Sequence, residues 1–383
     1  MKQTEIGLIP DDWEVRTLGD LFEMKAGGDV DKQHFSSYKS DKYTYKIFSN
    51  GLENEGIYGY TDLPKYKGDS ITITGRGTVG VSMYRKDDFD AVIRLLVLNS
   101  KKRNITDNFF ISEVINETVK FPNESTGVPQ LTVPQIKDVL IPVPPLAEQQ
   151  RIAKALSDVD TLISTTEKLI QKKKNIKQGT MQNLLIGKKR LPGFGPQTKS
   201  PSYKQTELGL IPEDWEVKSL GEMLKIGHGK DYKNLKSGNV PVYGTGGYMT
   251  SVNDFLYEGE TVCIGRKGTI DKPQYHSGRI WTVDTLFYTY DFKSLNPKYL
   301  FYKFCLIDWL SMNEASGVPS LTAKNIEDIQ IVIPTEEEQN AIANVLSSMD
   351  KEIETLNTKL EKYRNLKTAM MQQLLTGKIR LIK

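Results

Sequence analysis

Residues 127–191 read GVPQLTVPQIKDVLIPVPPLAEQQRIAKALSDVDTLISTTEKLIQKKKNIKQGTMQNLLIGKKRL, and residues 317–381 read GVPSLTAKNIEDIQIVIPTEEEQNAIANVLSSMDKEIETLNTKLEKYRNLKTAMMQQLLTGKIRL. The two stretches align without a gap at a constant offset of 190 residues. Roughly two positions in five are identical, which indicates an internal duplication.

Each copy of this repeat contains one long predicted helix. Pro144 and Pro334 precede the two helices, and Gly187 and Gly377 end them, as start and stop signals do. Apolar residues recur every seven positions in two interleaved rows, which predicts a coiled-coil seam. From Glu148 to Leu185 such a helix is about 57 Å long at ~1.5 Å per residue. The predicted seam residues are Leu156, Val159, Ile163, Ile170 and Leu184 in the first helix, and Leu346, Met349, Ile353, Leu356, Leu360 and Leu374 in the second.

A heptad seam must be buried against something, and two partners are possible. The first is the other copy of the helix in the same chain, which suits a seam so long and narrow. The alternative is that each helix packs on its own globular domain. The pattern favours helix pairing.

A second repeat opens each half of the chain. Residues 6–21 read IGLIPDDWEVRTLGDL and residues 208–223 read LGLIPEDWEVKSLGEM, at an offset of 202 residues. Each half therefore has the same framework around a different middle, 22–125 in one half and 224–315 in the other. A shared framework with diverged inserts is typical of a protein that recognises a target in two unlike parts.

The two middles have the pattern of β-rich domains with some helix. Short alternating runs such as Ser70–Thr74 and Glu260–Ile264 predict strands. A short helix is predicted near the end of each middle, from Asp107 to Asn116 and from Pro297 to Leu310. The Pro- and Gly-containing segment Leu191–Ser202 is a linker by composition.

Composition limits the function classes without choosing a partner. The formal net charge is only +3, although lysines cluster between Lys172 and Arg190. Such a run is either a solvated helix face or a surface for DNA phosphates. The two cysteines and three histidines lack metal-ligand spacing, which argues against zinc and a disulfide scaffold. No signal-peptide pattern or membrane span is seen, so we expect a cytoplasmic protein.

Two glycine-containing loops are the best candidates for nucleic-acid contact. They are Arg76-Gly77-Thr78 and Arg266-Lys267-Gly268-Thr269, which occur at equivalent places in the two halves. Glycine lets backbone N–H groups approach a phosphate, and Arg, Lys and Thr add donors. Shared turns near Asn50 and Thr245 complete the predicted DNA-binding set. The alternative is an ordinary hairpin turn that was duplicated with the rest.

Catalytic signatures are missing from the sequence. Glu213, Glu216 and Lys218 form an acidic pair with a lysine, but their spacing favours a solvated turn over a metal site. There is no phosphate-binding Gly-Lys-Ser/Thr motif. The Asn296-Pro297 pair fits a helix cap better than a methyltransferase motif. We therefore predict a chain that is non-catalytic and holds no metal.

Taken together, the repeated motifs resemble one family. The Gly-Leu-Ile-Pro-x-Asp-Trp-Glu-Val openings, the Gly-Val-Pro-x-Leu-Thr segments, PPLAEQQRI and PTEEEQNAI, and the closing Met-Gln-x-Leu-Leu-x-Gly-Lys resemble HsdS, the specificity subunit of type I restriction–modification enzymes. The resemblance covers nearly the whole chain. Residues 281–287 also fit the family, whereas Val92-Ile93-Arg94-Leu95-Leu96 departs from it in the first half.

The resemblance implies an α+β protein with two target-recognition domains and two long helices packed antiparallel. Each domain would read one half of a split DNA sequence, and the helices would set the spacer and dock two methyltransferase subunits. Motor–nuclease restriction subunits would join this core. S-adenosylmethionine, ATP and Mg²⁺ would belong to those partners. The predicted boundaries are 1–146 and 204–335 for the domains, 147–190 and 336–383 for the helices, and 191–203 for the linker.

Two other functions remain open at this point. A stand-alone enzyme acting on DNA would need a cofactor loop or metal set, and a coiled-coil adaptor would not bind DNA in a salt-dependent way. One finer expectation concerns the helices. Lys177 and Lys367 occupy equivalent inward positions, and in an antiparallel pair we expect each to extend to solvent.

Overall fold

The computed structural model describes residues 1–102, 104–121, 129–195 and 202–382, which form two compact units. Unit 1 comprises Met1–Glu167 and Thr358–Lys383, and unit 2 comprises Lys168–Asn357. Each unit therefore combines a globular domain with the beginning of one long helix and the end of the other.

Unit 1 is built mainly from short strands. They are β1 (Lys2–Thr4), β2 (Gly7–Ile9), β3 (Glu14–Thr17), β4 (Phe22–Ala26), β5 (Tyr45–Phe48), β6 (Ile57–Thr61), β7 (Ser70–Ile73), β8 (Ser82–Arg85), β9 (Phe89–Ala91), β10 (Leu96–Ser100) and β11 (Leu140–Val143). Its helices are α1 (Leu18–Leu21), α2 (Asn108–Thr118), α3 (Val133–Lys137) and the first part of α4 (Leu146–Leu185). Short 3₁₀ turns lie at Lys32–His34 and Glu53–Gly56.

Unit 2 repeats this plan with longer strands. They are β12 (Tyr203–Thr206), β13 (Gly209–Pro212), β14 (Glu216–Ser219), β15 (Lys225–His228), β16 (Ser237–Gly244), β17 (Gly247–Val252), β18 (Tyr257–Gly265), β19 (Gln274–Thr282), β20 (Leu286–Tyr290) and β21 (Gln330–Ile333). The helices are α5 (Leu220–Met223), α6 (Pro297–Phe304), α7 (Ala323–Glu327) and the first part of α8 (Glu336–Leu374), with a 3₁₀ turn at Trp309–Met312.

The two diverged middles share one strand order. In unit 2 a six-stranded sheet runs β15-β20-β18-β19-β16-β17, and only β16 and β19 are parallel. Unit 1 has β4-β10-β7-β8 and β6-β5-β9, with β5 and β9 parallel. The orders coincide when β8 and β9 are taken as the halves of β19. Strands β8 and β9 are separated by residues 86–88. In this segment the Asp88 carboxylate accepts a hydrogen bond from Gly68 N at 2.8 Å.

A buried carboxylate at the first turn of α4 joins three parts of unit 1. Glu148 is 2% exposed, and the Trp13 indole N–H donates to it at 3.1 Å. Arg380, from the segment after α8, donates to both Glu148 oxygens at 2.7 Å and to Asp12. Hydrogen bonds from Arg380 hold the pKa of Asp12 below its usual value. A charge this deeply buried is tolerated because a bidentate guanidinium compensates it.

Unit 2 contains the same arrangement, which we call the clasp. Trp215 donates to Glu338 at 3.1 Å, and Arg190 donates to both Glu338 oxygens at 2.6 Å and to Asp214. Trp13 and Trp215 are both fully buried. Each clasp thus ties the end of one long helix to the beginning of the other.

The glutamine that follows each clasp carboxylate fixes the chain entering the helix. Gln149 donates to the carbonyls of Pro144 and Ile105 and accepts from Asp107 N at 2.9 Å. Gln339 makes the equivalent three bonds in unit 2. The repeated Glu-Gln pair is therefore structural in both copies.

Within each unit the two helix segments run antiparallel. In unit 1 Arg151 bonds the carbonyl of Leu381, and Arg364 bonds Glu167 at 2.6 Å. In unit 2 Lys173 pairs with Glu352 at 2.7 Å. This direction agrees with the predicted antiparallel packing.

The expectation that Lys177 and Lys367 extend to solvent is wrong. Both side chains are 23% exposed and ion-paired within their units. Lys177 bonds Asp350, and Lys367 lies 2.9 Å from Asp160 and 3.6 Å from Glu113. An inward lysine is retained here because the opposite helix supplies a carboxylate at the same level.

The predicted seam residues differ in burial. The buried ones are Leu156, Val159, Ile170, Leu184, Leu346, Leu360 and Leu374. The half-buried ones are Ile163, Met349, Ile353 and Leu356. Leu156 and Leu374 share the core of unit 1, and Leu184 and Leu346 share that of unit 2. The helix ends therefore pack on the domains as well as on each other.

Most element predictions agree with the structure, and the α+β class is confirmed. Helix α2 begins after Asp107, whose carboxylate accepts from Phe110 N at 2.9 Å. The helix predicted to reach Leu310 ends at Phe304, because the Trp309 indole N–H takes the Phe304 carbonyl at 2.8 Å. Among the described residues no helix is both long and apolar enough to span a bilayer.

The clasp predicts a large local effect of one arginine. Arg380→Met leaves the Glu148 carboxylate buried without its cation, so unit 1 should lose about 3–5 kcal/mol of stability. Arg16→Met is the matched control, because Arg16 pairs only with the exposed Glu14 and such pairs contribute about 0–1 kcal/mol. Hydrogen exchange of peptides from each unit in urea measures this, with unit 2 as internal reference. Equal stability of unit 1 in the two variants would contradict the stabilising role of the Arg380–Glu148 pair.

Candidate nucleic-acid interface

The loop between β7 and β8 carries Arg76, Gly77 and Thr78, and Asn50 holds its base. The Asn50 carboxamide accepts from Gly75 N at 2.7 Å and donates to the Ile93 carbonyl at 2.6 Å. Asn50 therefore acts as a bracket between this loop and the turn that leads into β10.

The same loop is closed from within by Thr74. Its hydroxyl donates to the Thr78 carbonyl and accepts from Val81 N at 2.9 Å. Gly77 has φ +70°, a left-handed conformation that favours glycine. The loop is thus a defined turn that presents its side chains outward.

The corresponding loop of unit 2 joins β18 to β19 and carries Arg266, Lys267, Gly268 and Thr269. The Arg266 N–H donates to the Thr285 carbonyl at 2.8 Å. Gly268, with φ +98°, donates its N–H to the Pro319 carbonyl at 2.8 Å. Backbone hydrogen bonds therefore fix this loop at Arg266 and Gly268.

A repeated framework segment holds both loops. Arg76 forms an isolated antiparallel bridge with Gln130, and Lys267 forms one with Ser320. Gln130 and Ser320 are equivalent positions in the Gly-Val-Pro-x-Leu-Thr repeats; Gly127 and Val128 lie outside the described residues. The framework thus places a variable loop at the same position in each unit.

The turns predicted to join these loops lie beside them. Asn50 bonds Gly75, next to Arg76. In unit 2 the Thr245 hydroxyl lies 3.7 Å from where a Cβ on Gly268 would stand. The structure therefore brings together the predicted residues of each half within one unit.

The loops expose cationic and polar side chains. Arg76, Gly77, Thr78, Arg266 and Lys267 are exposed, and Asn50, Thr245, Gly268 and Thr269 are half-buried. Across the described part of the chain, the ion pairs are formed by other lysines and arginines, such as Arg16, Lys218 and Arg279. The loop cations therefore remain available to an anion or a base edge.

Two open cavities flank the loop of unit 2. One, of about 660 Å³, is lined by His228, Arg266 and Asp284. The other, of about 530 Å³, is lined by Thr245, Thr269 and an aromatic wall. In that wall His276 stacks on Tyr243 at 3.7 Å, and burial lowers the pKa of His276 to about 4. At neutral pH this histidine is therefore an uncharged ring surface.

Glu216 of the acidic motif and its counterpart Glu14 in the first half form surface ion pairs. Glu216 pairs with Lys218 at 2.6 Å, and Glu14 pairs with Arg16 at 2.7 Å. In the described ranges no cluster of three or more metal-ligating side chains is present.

Sequence reasoning missed the Ile93–Arg94 turn, which lies against the Arg76 loop. Both residues have left-handed φ, at 56° and 61°. Neither is glycine or asparagine, so no residue type signals this conformation. The departure from the family pattern at residues 92–96 was the available hint.

Comparison with known proteins identifies the repeated framework. The family model described as type I restriction modification DNA specificity domain matches residues 10–178 and 212–362. A putative type I restriction enzyme MjaX specificity subunit of Methanocaldococcus jannaschii is 30% identical and covers 99% of this chain and 96% of its own. The MjaVIII specificity subunit of that organism is 26% identical, covering 97% and 94%.

A solved structure shows the same fold. The crystal structure of the type I restriction–modification S subunit from M. genitalium superposes with a TM-score of 0.68 and 18% identity. The match covers 98% of both chains. The fold is therefore shared over nearly the whole length of both chains.

Proposed function

Because the chain belongs to the type I restriction–modification DNA specificity family, we propose that each of its two domains reads one half of a bipartite, asymmetric DNA sequence. As a specificity subunit it is the non-catalytic, DNA-binding member of a restriction–modification complex. The observation that carries the proposal is one strand order in both units around different loops. Such a pair presents two unlike surfaces on equivalent frameworks.

In this proposal residues 1–146 and 204–335 are the target-recognition domains. Residues 147–190 and 336–383 are the spacer helices, and 191–203 is the linker between the halves. The buried and half-buried heptad positions described above form the helix seam.

The DNA-facing side of each domain is assigned to its exposed loop. Arg76 to Thr78 and Asn50 serve the first domain, and Arg266 to Thr269 and Thr245 serve the second. Exposed guanidinium and ammonium groups suit phosphates, and threonine hydroxyls add donors that position the duplex. The rigid backbone of each loop means that little order has to be gained on binding.

The long helices are assigned to partner subunits as well as to the spacer. In the unit 2 part of α4, Leu169 and Ile176 lie seven residues apart and are 38% and 43% exposed. Exposed apolar residues at heptad spacing suit a protein partner. We assign two methyltransferase subunits to the helices, with restriction–translocase subunits joining them. S-adenosylmethionine, ATP and Mg²⁺ then bind in those partners.

Exchange of one domain tests the function directly. Replacing residues 22–125 with the equivalent region of another specificity subunit should change one half of the methylated sequence only, because the framework and its clasps stay intact. The reciprocal exchange of residues 224–315 is the matched variant and should change the other half. Methylation mapping of a host carrying the complete system reads both outcomes. A change in both halves from either exchange would sink the proposal.

The loop arginines have a separate expected effect. Arg76→Ala and Arg266→Ala should each weaken DNA binding and leave assembly with methyltransferase subunits unchanged. Loss of a phosphate contact lowers the salt slope by about one unit for every sequence, whereas loss of a base contact costs about 1–3 kcal/mol on the cognate site. Titrations at several salt concentrations distinguish the two. Arg16→Ala is the control, and identical curves for all three variants would show that the loops are structural.

Helix length predicts the spacer. Helix α4 has 40 residues, about 60 Å at ~1.5 Å per residue. Domains that enter successive major grooves lie about 34 Å apart, which leaves about five to eight unread base pairs. Inserting four residues after both Thr165 and Thr355 should lengthen the preferred spacer by about one or two pairs, because each helix gains ~6 Å.

Both insertions are needed because each unit holds the beginning of one helix and the end of the other. The single insertion after Thr165 therefore shifts the register of one helix and should reduce stability. Insertion of the same four residues after Gly195, in the linker, is the control and should leave the spacer unchanged. Methylation of targets with spacers of every length measures this. If the double insertion left the preferred spacer length unchanged, the helices would not set that length.

A further inference from the structure

The turn between β9 and β10 holds two consecutive non-glycine residues in the left-handed region. Ile93 has φ 56° and Arg94 has φ 61°. A β-branched residue is rare in this conformation because its side chain crowds the backbone. Such strain persists only where the surroundings impose it, and it concentrates at functional sites.

Four hydrogen bonds impose the conformation. Ile93 N donates to the Gly28 carbonyl at 2.9 Å, and Arg94 N donates to the Gly27 carbonyl at 3.0 Å. Leu95 N closes the turn on the Val92 carbonyl at 3.1 Å, and Asn50 donates to the Ile93 carbonyl at 2.6 Å. The turn is therefore a fixed structure rather than a loose loop.

The strain does not serve the core. Ile93 is 40% exposed and Arg94 is exposed, so neither side chain gains much burial from its position. A glycine would adopt the same backbone without strain. The sequence therefore places two large, outward-facing side chains at positions where glycine would be more stable.

The turn stands directly beside the Arg76 loop. A Cβ added to Gly75 would lie 2.8 Å from the Arg94 carbonyl, so the two backbones are in contact. Asn50 bonds both Gly75 and Ile93. The Asn50 carboxamide thus holds the exposed residues Arg76, Ile93 and Arg94 in one rigid surface.

We propose that Ile93 and Arg94 determine the base specificity of the first domain. Arg94 donates to the O6 and N7 acceptors of a guanine in the major groove, and Ile93 contacts the methyl group of a thymine. Arg76 alongside them holds the phosphate backbone. This assignment rests on the proposed function and adds the residues that read the sequence.

The second domain is built differently at the same place. Its turn between β19 and β20, residues 283–285, has no left-handed residue. The Arg266 side chain there donates to the Asp284 carbonyl at 3.3 Å. The two domains therefore offer unlike groups at equivalent positions, as an asymmetric target requires.

The test uses the full chain assembled with its cognate methyltransferase subunits. Ile93→Gly should raise the melting temperature by about 2–4 °C, because glycine relieves the strain. It should also reduce discrimination at one thymine position of the first half-site. Arg94→Ala should reduce discrimination at a guanine position by about 5- to 150-fold, because it removes the bidentate donor. Arg94→Lys should reduce it by a smaller factor, because an ammonium lacks the planar fork of the guanidinium. The second half-site should stay unchanged in all three.

Ser294→Gly is the matched control. Ser294 also has a left-handed φ, 49°, and lies in unit 2. It should raise the melting temperature without changing either half-site. Methylation of oligonucleotides that carry every single-base change measures the selectivity.

The possible outcomes distinguish failure of this inference from failure of the proposed function. Wild-type methylation at bipartite sites, with unchanged selectivity in the Ile93 and Arg94 variants, would overturn this inference alone. Wild-type methylation at sites that are not bipartite would overturn the proposed function and this inference with it. Relaxed selectivity confined to the first half-site supports both.

Discussion

A carboxylate buried at the first turn of each long helix is the constraint on which the remaining structure depends. Glu148 and Glu338 are almost completely covered, and each is compensated by an arginine from the end of the other long helix. Because a buried charge without its partner is strongly unfavourable, the helix ends cannot leave the domains independently. The clasp therefore connects elements that are far apart in sequence and leaves the surface loops free to diverge.

That division of labour explains how two dissimilar middles keep one function. The strand order is common to both units, although unit 1 interrupts at residues 86–88 the strand that unit 2 keeps continuous. The framework fixes each loop through a bridge at Gln130 or Ser320. Side chains on the loops can then change without moving the backbone that carries them. In the proposed function, sequence selectivity then depends on which groups the loops expose.

Much of this architecture could be predicted from local patterns. The heptads predicted both long helices, and the proline and glycine positions predicted their boundaries. The ion pairs of the clasps could not be predicted, because Arg380 reaches Glu148 across 232 residues. The carboxylates opposite Lys177 and Lys367 were missed for the same reason, since they depend on the register of two helices. The Ile93–Arg94 turn escaped because its conformation is imposed by neighbours rather than by residue type.

The way in which the chain is divided between the two units also sets the order in which they can be completed during synthesis. Unit 2 is one continuous stretch, Lys168–Asn357, whereas unit 1 needs Thr358–Lys383 to complete its core and its clasp. The domain that leaves the ribosome first is therefore the last to be finished. Until then the apolar surface that Leu374 and Leu375 cover stays open, and such surfaces invite aggregation. A nascent chain must therefore protect unit 1 until residues 358–383 have been made.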